Sequence, residues 1–221
     1  MRKVIAIDGP SGAGKSTIAK KIAQLTGFEF LDTGALYRAI ALGLLENGFD
    51  EKSDTVKIIE TLKKLSIKYE KGCIFLNDRD VSKEIRDEKI SHFSSVFSAL
   101  KPVREYLLGI QRQAAMTADI VAEGRDMTTV VFPLASIKFF LTASVKVRAI
   151  RRYEQIKDDA SKITIEQIES DIIARDNRDM GRDTAPLKQA ADAILIDSSL
   201  TSIDETIEIM MREINNRQIW K

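Results

Sequence analysis

The chain has 221 residues, of which 44% are hydrophobic and 30% are charged, a composition typical of a globular protein with one well-formed core. Its formal net charge of +1 creates no overall field toward nucleic acid or a membrane, so we expect neither as a partner. The single cysteine, Cys73, excludes a disulfide within the chain and favours a cytoplasmic protein. Because His92 is the only histidine, we expect catalysis without a histidine base.

A glycine-rich stretch, residues 9–16, reads G-x-x-x-x-G-K-S, the pattern of a phosphate-binding loop. It follows an apolar run typical of a buried strand and precedes residues spaced as in a helix that ends at Gly27. The loop predicts binding of a nucleoside triphosphate, with Lys15 at the β- and γ-phosphates and the Ser16 hydroxyl on Mg²⁺. The residues expected to bind this nucleotide are Gly9, Pro10, Ser11, Gly12, Ala13, Gly14, Lys15, Ser16 and Thr17.

Apolar runs separated by segments of helical spacing predict strands that alternate with helices. This alternation predicts an α/β fold in which a five-stranded parallel sheet is flanked by helices. Ligands bind at the C-terminal ends of such strands. The polar residues predicted at those ends are Asp8, Asp32, Glu123 and Thr142. The predicted strands are residues 3–8, 28–32, 119–123, 137–141 and 193–197.

Two segments add to this simple alternation. Short strands with tight turns, followed by helices, use more chain than one crossover needs, so residues 65–100 are predicted to form an inserted nucleotide-binding subdomain. A charged helical stretch is interrupted near residues 158–161, and its small apolar surface predicts that residues 151–184 form a mobile helical lid. We expect residues 1–221 to form a single domain that carries both additions.

Arginine placement is a second indication of phosphate chemistry. One predicted helix face carries residues at the spacing i, i+3, i+4 and i+7, namely Arg175, Arg178, Asp179 and Arg182. Like charges stacked in this way favour an anionic ligand, since guanidinium groups match phosphate with paired hydrogen bonds. A second group, Arg148, Arg151 and Arg152, also shares one side of a helix, and for Arg151 and Arg152 a solvated charged face is a serious alternative.

Missing motifs narrow the class of protein. The sequence has neither the Asn-Lys-x-Asp motif that reads guanine nor an Asp-x-x-Gly motif after a strand, both of which a GTPase switch would need. A small P-loop protein rich in arginine best suits a kinase for a small phosphorylated acceptor. Two alternatives stay open: a kinase for another acceptor, such as UMP, shikimate or a nucleoside, and a switch that binds a nucleoside triphosphate without transferring phosphate.

Five motifs together resemble those of the bacterial cytidylate kinases. They are DGPSGAGKS at residues 8–16, LDTGALYR at 31–38, GRDM at 124–127, TVVFP at 129–133 and RDNRD at 175–179. The motifs occur in the family's order over nearly the whole chain, and the combination of GRDM with RDNRD is specific. The resemblance implies transfer of the γ-phosphoryl group of ATP to CMP or dCMP, with Mg²⁺. Since no apolar helix stripe is left over, we expect a monomer.

The resemblance also implies roles for individual residues. The acceptor phosphate would be bound by Arg38, Arg125 and Arg182. The cytosine would be read by Ser95, Arg104 and Asp126. The sugar hydroxyls would be bound by Arg175 and Asp179. Thr33 completes the implied substrate-binding set. The residues expected to act in catalysis are Lys15, Arg38, Arg125, Asp126 and Arg182.

Three positions depart from the residues common in that family. Thr33 replaces a frequent serine and keeps the hydroxyl, whereas Glu123 replaces a frequent aspartate and changes the reach of the carboxylate. Thr128 replaces a frequent glycine, which we expect to tighten the turn after residue 126. None of these changes removes a charge. Because the phosphate of CMP is already an anionic nucleophile, we expect a mechanism of positioning and charge neutralisation without a strong general base.

Overall fold

The computed structural model describes residues 2–70, 72–156 and 163–219. The chain divides into two compact units, which are described separately. The first is formed by Met1–Phe30 together with Ala118–Lys221, and the second by Leu31–Thr117. The predicted helix interruption at residues 158–161 lies outside the described residues. The predicted lid is described except for residues 157–162.

The strands form two sheets. Across the described residues they are β1 (Val4–Asp8), β2 (Glu29–Asp32), β3 (Ile67–Glu70), β4 (Cys73–Leu76), β5 (Arg79–Asp80), β6 (Ile120–Gly124), β7 (Ile137–Thr142) and β8 (Ile194–Asp197). The larger sheet has the order β2-β6-β1-β7-β8, which confirms the five predicted strands. In it β1 pairs in parallel with β6 and β7, and β7 pairs in parallel with β8. Every residue of β1 and β6 is buried, as expected of strands covered on both faces.

The helices follow the predicted alternation. They are α1 (Lys15–Thr26), α2 (Thr33–Glu46), α3 (Thr55–Leu62), α4 (Glu88–Phe97), α5 (Lys101–Thr117), α6 (Val145–Ile156), α7 (Ile165–Gly181) and α8 (Ile203–Asn216). A five-residue π-helical turn, Met127–Val131, follows β6. Of the helices in the part of the chain that the structure describes, none is long and apolar enough to cross a membrane.

The core of the first unit lies between the sheet and helices α1 and α8. Its fully buried members include Ile5, Ile7, Ile18, Ile22, Phe139, Leu141, Met210 and Ile214. Helix α1 ends at Gly27, whose φ of 74° glycine adopts at no steric cost. Helices α6 and α7 pack on each other through a separate small cluster of buried side chains, formed by Ala149, Ile168 and Ile172.

The second unit is organised around α2, most of whose residues are buried. The Asp32 carboxylate caps this helix by accepting a hydrogen bond from the Ala35 backbone N–H at 2.9 Å. Strands β3, β4 and β5 form an antiparallel sheet, which confirms the short strands predicted in this region. The Tyr106 hydroxyl on α5 donates to the Leu65 carbonyl oxygen at 2.6 Å and ties that helix to the start of β3.

Candidate active site

The loop predicted to bind phosphate connects the end of β1 to the start of α1. Gly9 has a φ of 153°, and a Cβ atom there would lie 1.9 Å from the carbonyl oxygen of Leu141 on β7, so only glycine fits. Gly14, with a φ of 93°, is the N-cap of α1. The chain therefore turns tightly into a helix N-terminus, where backbone N–H groups and the helix dipole attract anions.

Lys15 is the first residue of α1, and only 5% of it is exposed. Its Nζ donates to the carbonyl oxygen of Pro10 at 2.7 Å, which holds the amine at the loop. Burial, followed by the positive charge of Arg125, lowers the pKa of Lys15 to about 7, and the charge of Glu123 offsets this only in part. Phosphate oxygens near Nζ would favour its charged form, so this environment favours an anionic ligand.

The Ser16 hydroxyl donates to Oε1 of Glu123, which lies near the C-terminal end of β6. A hydroxyl beside a carboxylate at a phosphate-binding loop is a donor set that suits Mg²⁺, with water and nucleotide phosphates completing the coordination. Within the described ranges, no group of three or more His, Cys, Asp or Glu is placed to hold a metal ion. These two residues therefore fit a Mg²⁺ ion that is held largely through the nucleotide.

Glu123 was not among the metal-binding residues predicted from the sequence. It was noted only as a polar residue at a strand end and as a departure from the aspartate common in the resembling family. The available signal was its position in the chain, because an acidic residue near the end of the strand beside β1 faces the same edge of the sheet as the loop.

Asp8 is fully buried at the end of β1. Its carboxylate accepts hydrogen bonds from the Met127 N–H at 2.8 Å, the Thr128 N–H at 2.7 Å and the Thr128 hydroxyl at 2.6 Å. Burial raises the pKa of Asp8 to about 6, although these hydrogen bonds favour the charged form and oppose that rise. The end of β1 is thus joined directly to the turn that follows Arg125 and Asp126.

Helix α7 contributes carboxylates as well as arginines. Asp179 accepts from Arg125 Nε at 2.8 Å and pairs with Arg182 at 3.5 Å. Burial opposes ionisation of Asp179, but the charges of Arg125 and then Arg175 outweigh it and lower the pKa of this carboxyl. Of the arginines on this helix face, Arg182 pairs with Asp179, which also pairs with Arg125 from outside the helix, and Arg178 is exposed. The anionic ligand expected from this arginine pattern therefore stays a prediction.

Arg148 on α6 has partners in the loop, in its own segment and on α7. Its Nε donates to the Ala143 carbonyl oxygen and its NH1 group to the Ser11 carbonyl oxygen, both at 2.9 Å. The same NH1 group pairs with Asp176 on α7 at 2.7 Å. This buried arginine therefore links the phosphate-binding loop to α6 and α7. Arg151 is half-buried, and its guanidinium donates to the Ser198 carbonyl oxygen at 2.7 Å.

The second unit holds the remaining predicted residues. Arg38 and Arg86 both pair with Asp32, at 3.4 Å and 3.1 Å, so the cap of α2 also anchors two arginines. Arg104 donates to the Ser98 carbonyl oxygen at 3.1 Å and lies 5.2 Å from the centre of the Tyr37 ring, a cation–π distance. Thr33 and Ser95 are buried in this unit. Arg86 was not predicted from the sequence.

The structure brings together the predicted residues of the first unit. Lys15 and Ser16 lie at the loop, and Arg125, Asp179 and Arg182 form one ion-pair network. Asp126 is buried at the start of the π-helical turn, and Arg175 lies half-buried on α7. Sequence reasoning missed Arg86. It noted Asp8, Glu123 and Arg148 without the contacts that they make, and it included Asp176 only as part of the motif at residues 175–179.

A phosphate-binding loop between β1 and α1 of a parallel α/β sheet, with a buried lysine and adjoining arginines, defines a P-loop nucleotide-binding protein. The family model described as cytidylate kinase matches residues 5–216. A cytidylate kinase of Thermodesulfovibrio yellowstonii is 50% identical over 218 residues, covering 97% of this chain and 98% of the relative. One of Thermosipho melanesiensis is 45% identical over 213 residues, covering 96% and 97%. The chain belongs to the cytidylate kinase family.

A more distant likeness concerns the fold alone. The crystal structure of an uncharacterized protein from Eubacterium ventriosum superposes with a TM-score of 0.55 at 13% identity, covering 98% of this chain and 99% of that one. At this level of identity the agreement shows that the α/β architecture is shared, and says nothing about substrate.

Lys15→Met tests the cost of the buried amine. Folding lowers the pKa of Lys15 to about 7, so between about pH 7 and 10 the unfolded chain binds more protons than the folded protein. The buried amine therefore lowers the free energy of unfolding by its full amount below pH 7, and this effect fades as the pH rises. The variant should therefore be more stable at pH 7, by about 1–3 kcal/mol, and lose that pH dependence. Thermal unfolding across pH measures both. Lys21→Met, on the exposed side of α1, is the matched control, and equal behaviour of the two variants would contradict the prediction.

Proposed function

We propose that this protein transfers the γ-phosphoryl group of ATP to CMP or dCMP, giving ADP and CDP or dCDP. The observation that carries the proposal is the loop between β1 and α1, where Nζ of the buried Lys15 donates to the Pro10 carbonyl oxygen at 2.7 Å. Burial, together with the charge of Arg125, lowers the pKa of Lys15 to about 7, and phosphate groups in line would relieve that cost. Membership of the cytidylate kinase family supports cytidine as the base of the acceptor.

The donor nucleotide is ATP, whose phosphates would lie against residues 9–17. Lys15 exchanges its hydrogen bond to the Pro10 carbonyl for phosphate oxygens, which restores the full charge of the amine. Ser16 and Glu123 would hold Mg²⁺, which when bound neutralises phosphate charge and orients the donor. The hydrogen bond from Arg148 holds the Ser11 carbonyl, so the phosphate-binding loop has its shape before the nucleotide binds.

The acceptor roles follow from the family resemblance and are proposed here residue by residue. The acceptor phosphate is bound by Arg38, Arg125 and Arg182. The cytosine is read by Ser95, Arg104 and Asp126. The sugar is bound by Arg175 and Asp179, with Thr33 as a further substrate contact. The pairing of Asp179 with Arg125 supports a second role for this carboxylate, which orients the guanidinium as well as accepting from the sugar.

The chemistry needs little beyond positioning. An acceptor phosphate oxygen attacks the γ-phosphorus of ATP while the bond to the bridging oxygen breaks and ADP leaves. The acceptor oxygen is already ionised, so no side chain has to remove a proton before attack. Lys15, Arg125 and Arg182 stabilise the charge that develops on the transferred group and the leaving oxygen.

A panel of acceptors tests the function. ADP release is measured by a coupled assay with CMP, dCMP, UMP, shikimate and cytidine, each against ATP, and the product is identified by chromatography. The proposal expects CDP and dCDP formation with the highest kcat/KM, and loss of turnover by several orders of magnitude in Lys15→Met. Preference for another acceptor, or ATP hydrolysis without transfer, would instead support one of the alternative functions.

The preference for CMP over UMP tests whether Asp126 reads the cytosine. If its carboxylate accepts from the cytosine amino group, UMP presents a carbonyl oxygen to a carboxylate, a mismatch that costs about 1–3 kcal/mol. Asp126→Asn should therefore reduce the ratio of kcat/KM for CMP to that for UMP by about tenfold. The exposed Asp183→Asn is the matched control. An unchanged ratio in Asp126→Asn would show that the base is read elsewhere.

Magnesium dependence tests Glu123. Glu123→Gln keeps the shape of the side chain but removes the charge, so the Mg²⁺ concentration for half-maximal activity should rise about tenfold or more. The exposed Glu29→Gln on β2 carries the same change away from the loop and should behave as wild type. Equal Mg²⁺ requirements in all three proteins would remove Glu123 from the metal site.

Limited proteolysis tests the predicted lid, residues 151–184. The described parts of this segment have only a small apolar cluster of their own, while α7 carries residues proposed to bind the acceptor. Cleavage within the segment should fall more with CMP and a non-hydrolysable ATP analogue together than with either alone, because both substrates complete the site. If digestion is the same without ligand, with CMP, with the ATP analogue and with both together, the segment is a rigid helix pair.

A further inference from the structure

The Asp8 carboxylate caps the helical turn that follows β6. The π-helical turn Met127–Val131 begins immediately after Asp126, whose carbonyl oxygen accepts from the N–H groups of Val130 and Val131 at 2.9 and 3.1 Å. The N–H groups at the start of a helical turn have no partner within it. Here the carboxylate that accepts from Met127 and Thr128 comes from β1, a different strand of the sheet.

Thr128 adds a third hydrogen bond to this carboxylate. Its hydroxyl donates to Oδ2 of Asp8 at 2.6 Å, the same oxygen that accepts from its own N–H. Both side chains are buried, with Thr128 only 1% exposed, so water cannot replace the bond at low cost. The third bond is therefore supplied by a side chain, so a residue without a hydroxyl at position 128 would lack it.

The turn is located next to two residues proposed to bind the acceptor. Arg125 and Asp126 directly precede it, and the position of their backbone depends on where the turn is held. A displacement of about 1 Å at a substrate-positioning group is enough to cost a large factor in rate. The loop that binds the donor starts at Gly9, directly after Asp8, so one carboxylate holds the turn at a fixed distance from that loop.

We propose that Asp8 and Thr128 are positioning residues that hold Arg125 and Asp126 in place for the acceptor nucleotide. This inference rests on the proposed function. Removing the Thr128 hydroxyl loosens the turn and weakens use of the acceptor, whereas the donor loop, which is held by Gly9 against β7 and by Arg148, keeps its geometry. Asp8 is less suitable for a test, because its charge also acts on Lys15.

Thr128→Val removes the hydroxyl at nearly constant shape, and Thr128→Ser keeps it. Thr129→Val is the matched control, because the Thr129 hydroxyl is buried but has no hydrogen-bond partner among the described residues. In steady-state assays we expect the KM for CMP to rise about fivefold to tenfold in Thr128→Val, with the KM for ATP within about twofold of wild type. Thr128→Ser should restore the KM for CMP, and Thr129→Val should leave both constants unchanged.

Three results would overturn the inference. The first is a Thr128→Val variant that behaves as Thr129→Val does. The second is an equal rise of the KM for CMP and the KM for ATP in Thr128→Val, which would indicate general damage. The third is failure of Thr128→Ser to restore the KM for CMP. If thermal unfolding shows no folded state for Thr128→Val, the same result is expected of Thr128→Ala, which also lacks the hydroxyl. A wild-type protein that makes no CDP would instead refute the proposed function, so the two failures are distinguishable.

Discussion

Buried positive charge, balanced by buried carboxylates, is the constraint on which the C-terminal edge of the main sheet depends. Removing a charged side chain from water costs several kcal/mol unless a partner compensates it. Arg125 and Arg182 share Asp179, and Arg148 is paired with Asp176. These pairs join β6, α6 and α7 at one place. The contacts that compensate the charge of Arg125 and Arg182 therefore also hold α7.

Charge compensation is incomplete at the loop itself. The pKa of Lys15 is lowered to about 7 and that of Asp8 is raised to about 6, so for both groups burial opposes the charged form. A site that binds polyphosphate gains from this arrangement, because the ligand supplies the negative charge that the protein does not. The cost falls on the stability of the empty protein, as is common where function requires strained or poorly compensated groups.

Local patterns in the sequence were sufficient for most of the fold. The glycines of the loop, the apolar runs of the five parallel strands and the short strands β3 to β5 were all predictable, because each reflects the backbone preferences of neighbouring residues. The partners of the charges at residues 175–182 could not be predicted from one helix face. Arg125 comes from the end of β6 to pair with Asp179, and Asp176 pairs with Arg148 on another helix.

The sequence by itself determined that a phosphate-binding loop lies between a strand and a helix, because residues 9–16 contain every group that such a loop requires. Only the tertiary structure decided which side chains surround it. Ser16 meets Glu123 across 107 residues, Asp8 meets Thr128 across 120, and the Ser11 carbonyl meets Arg148 across 137. Contacts over such separations depend on the order of the strands in the sheet, and that order is set by the packing of distant apolar segments, which no local pattern encodes.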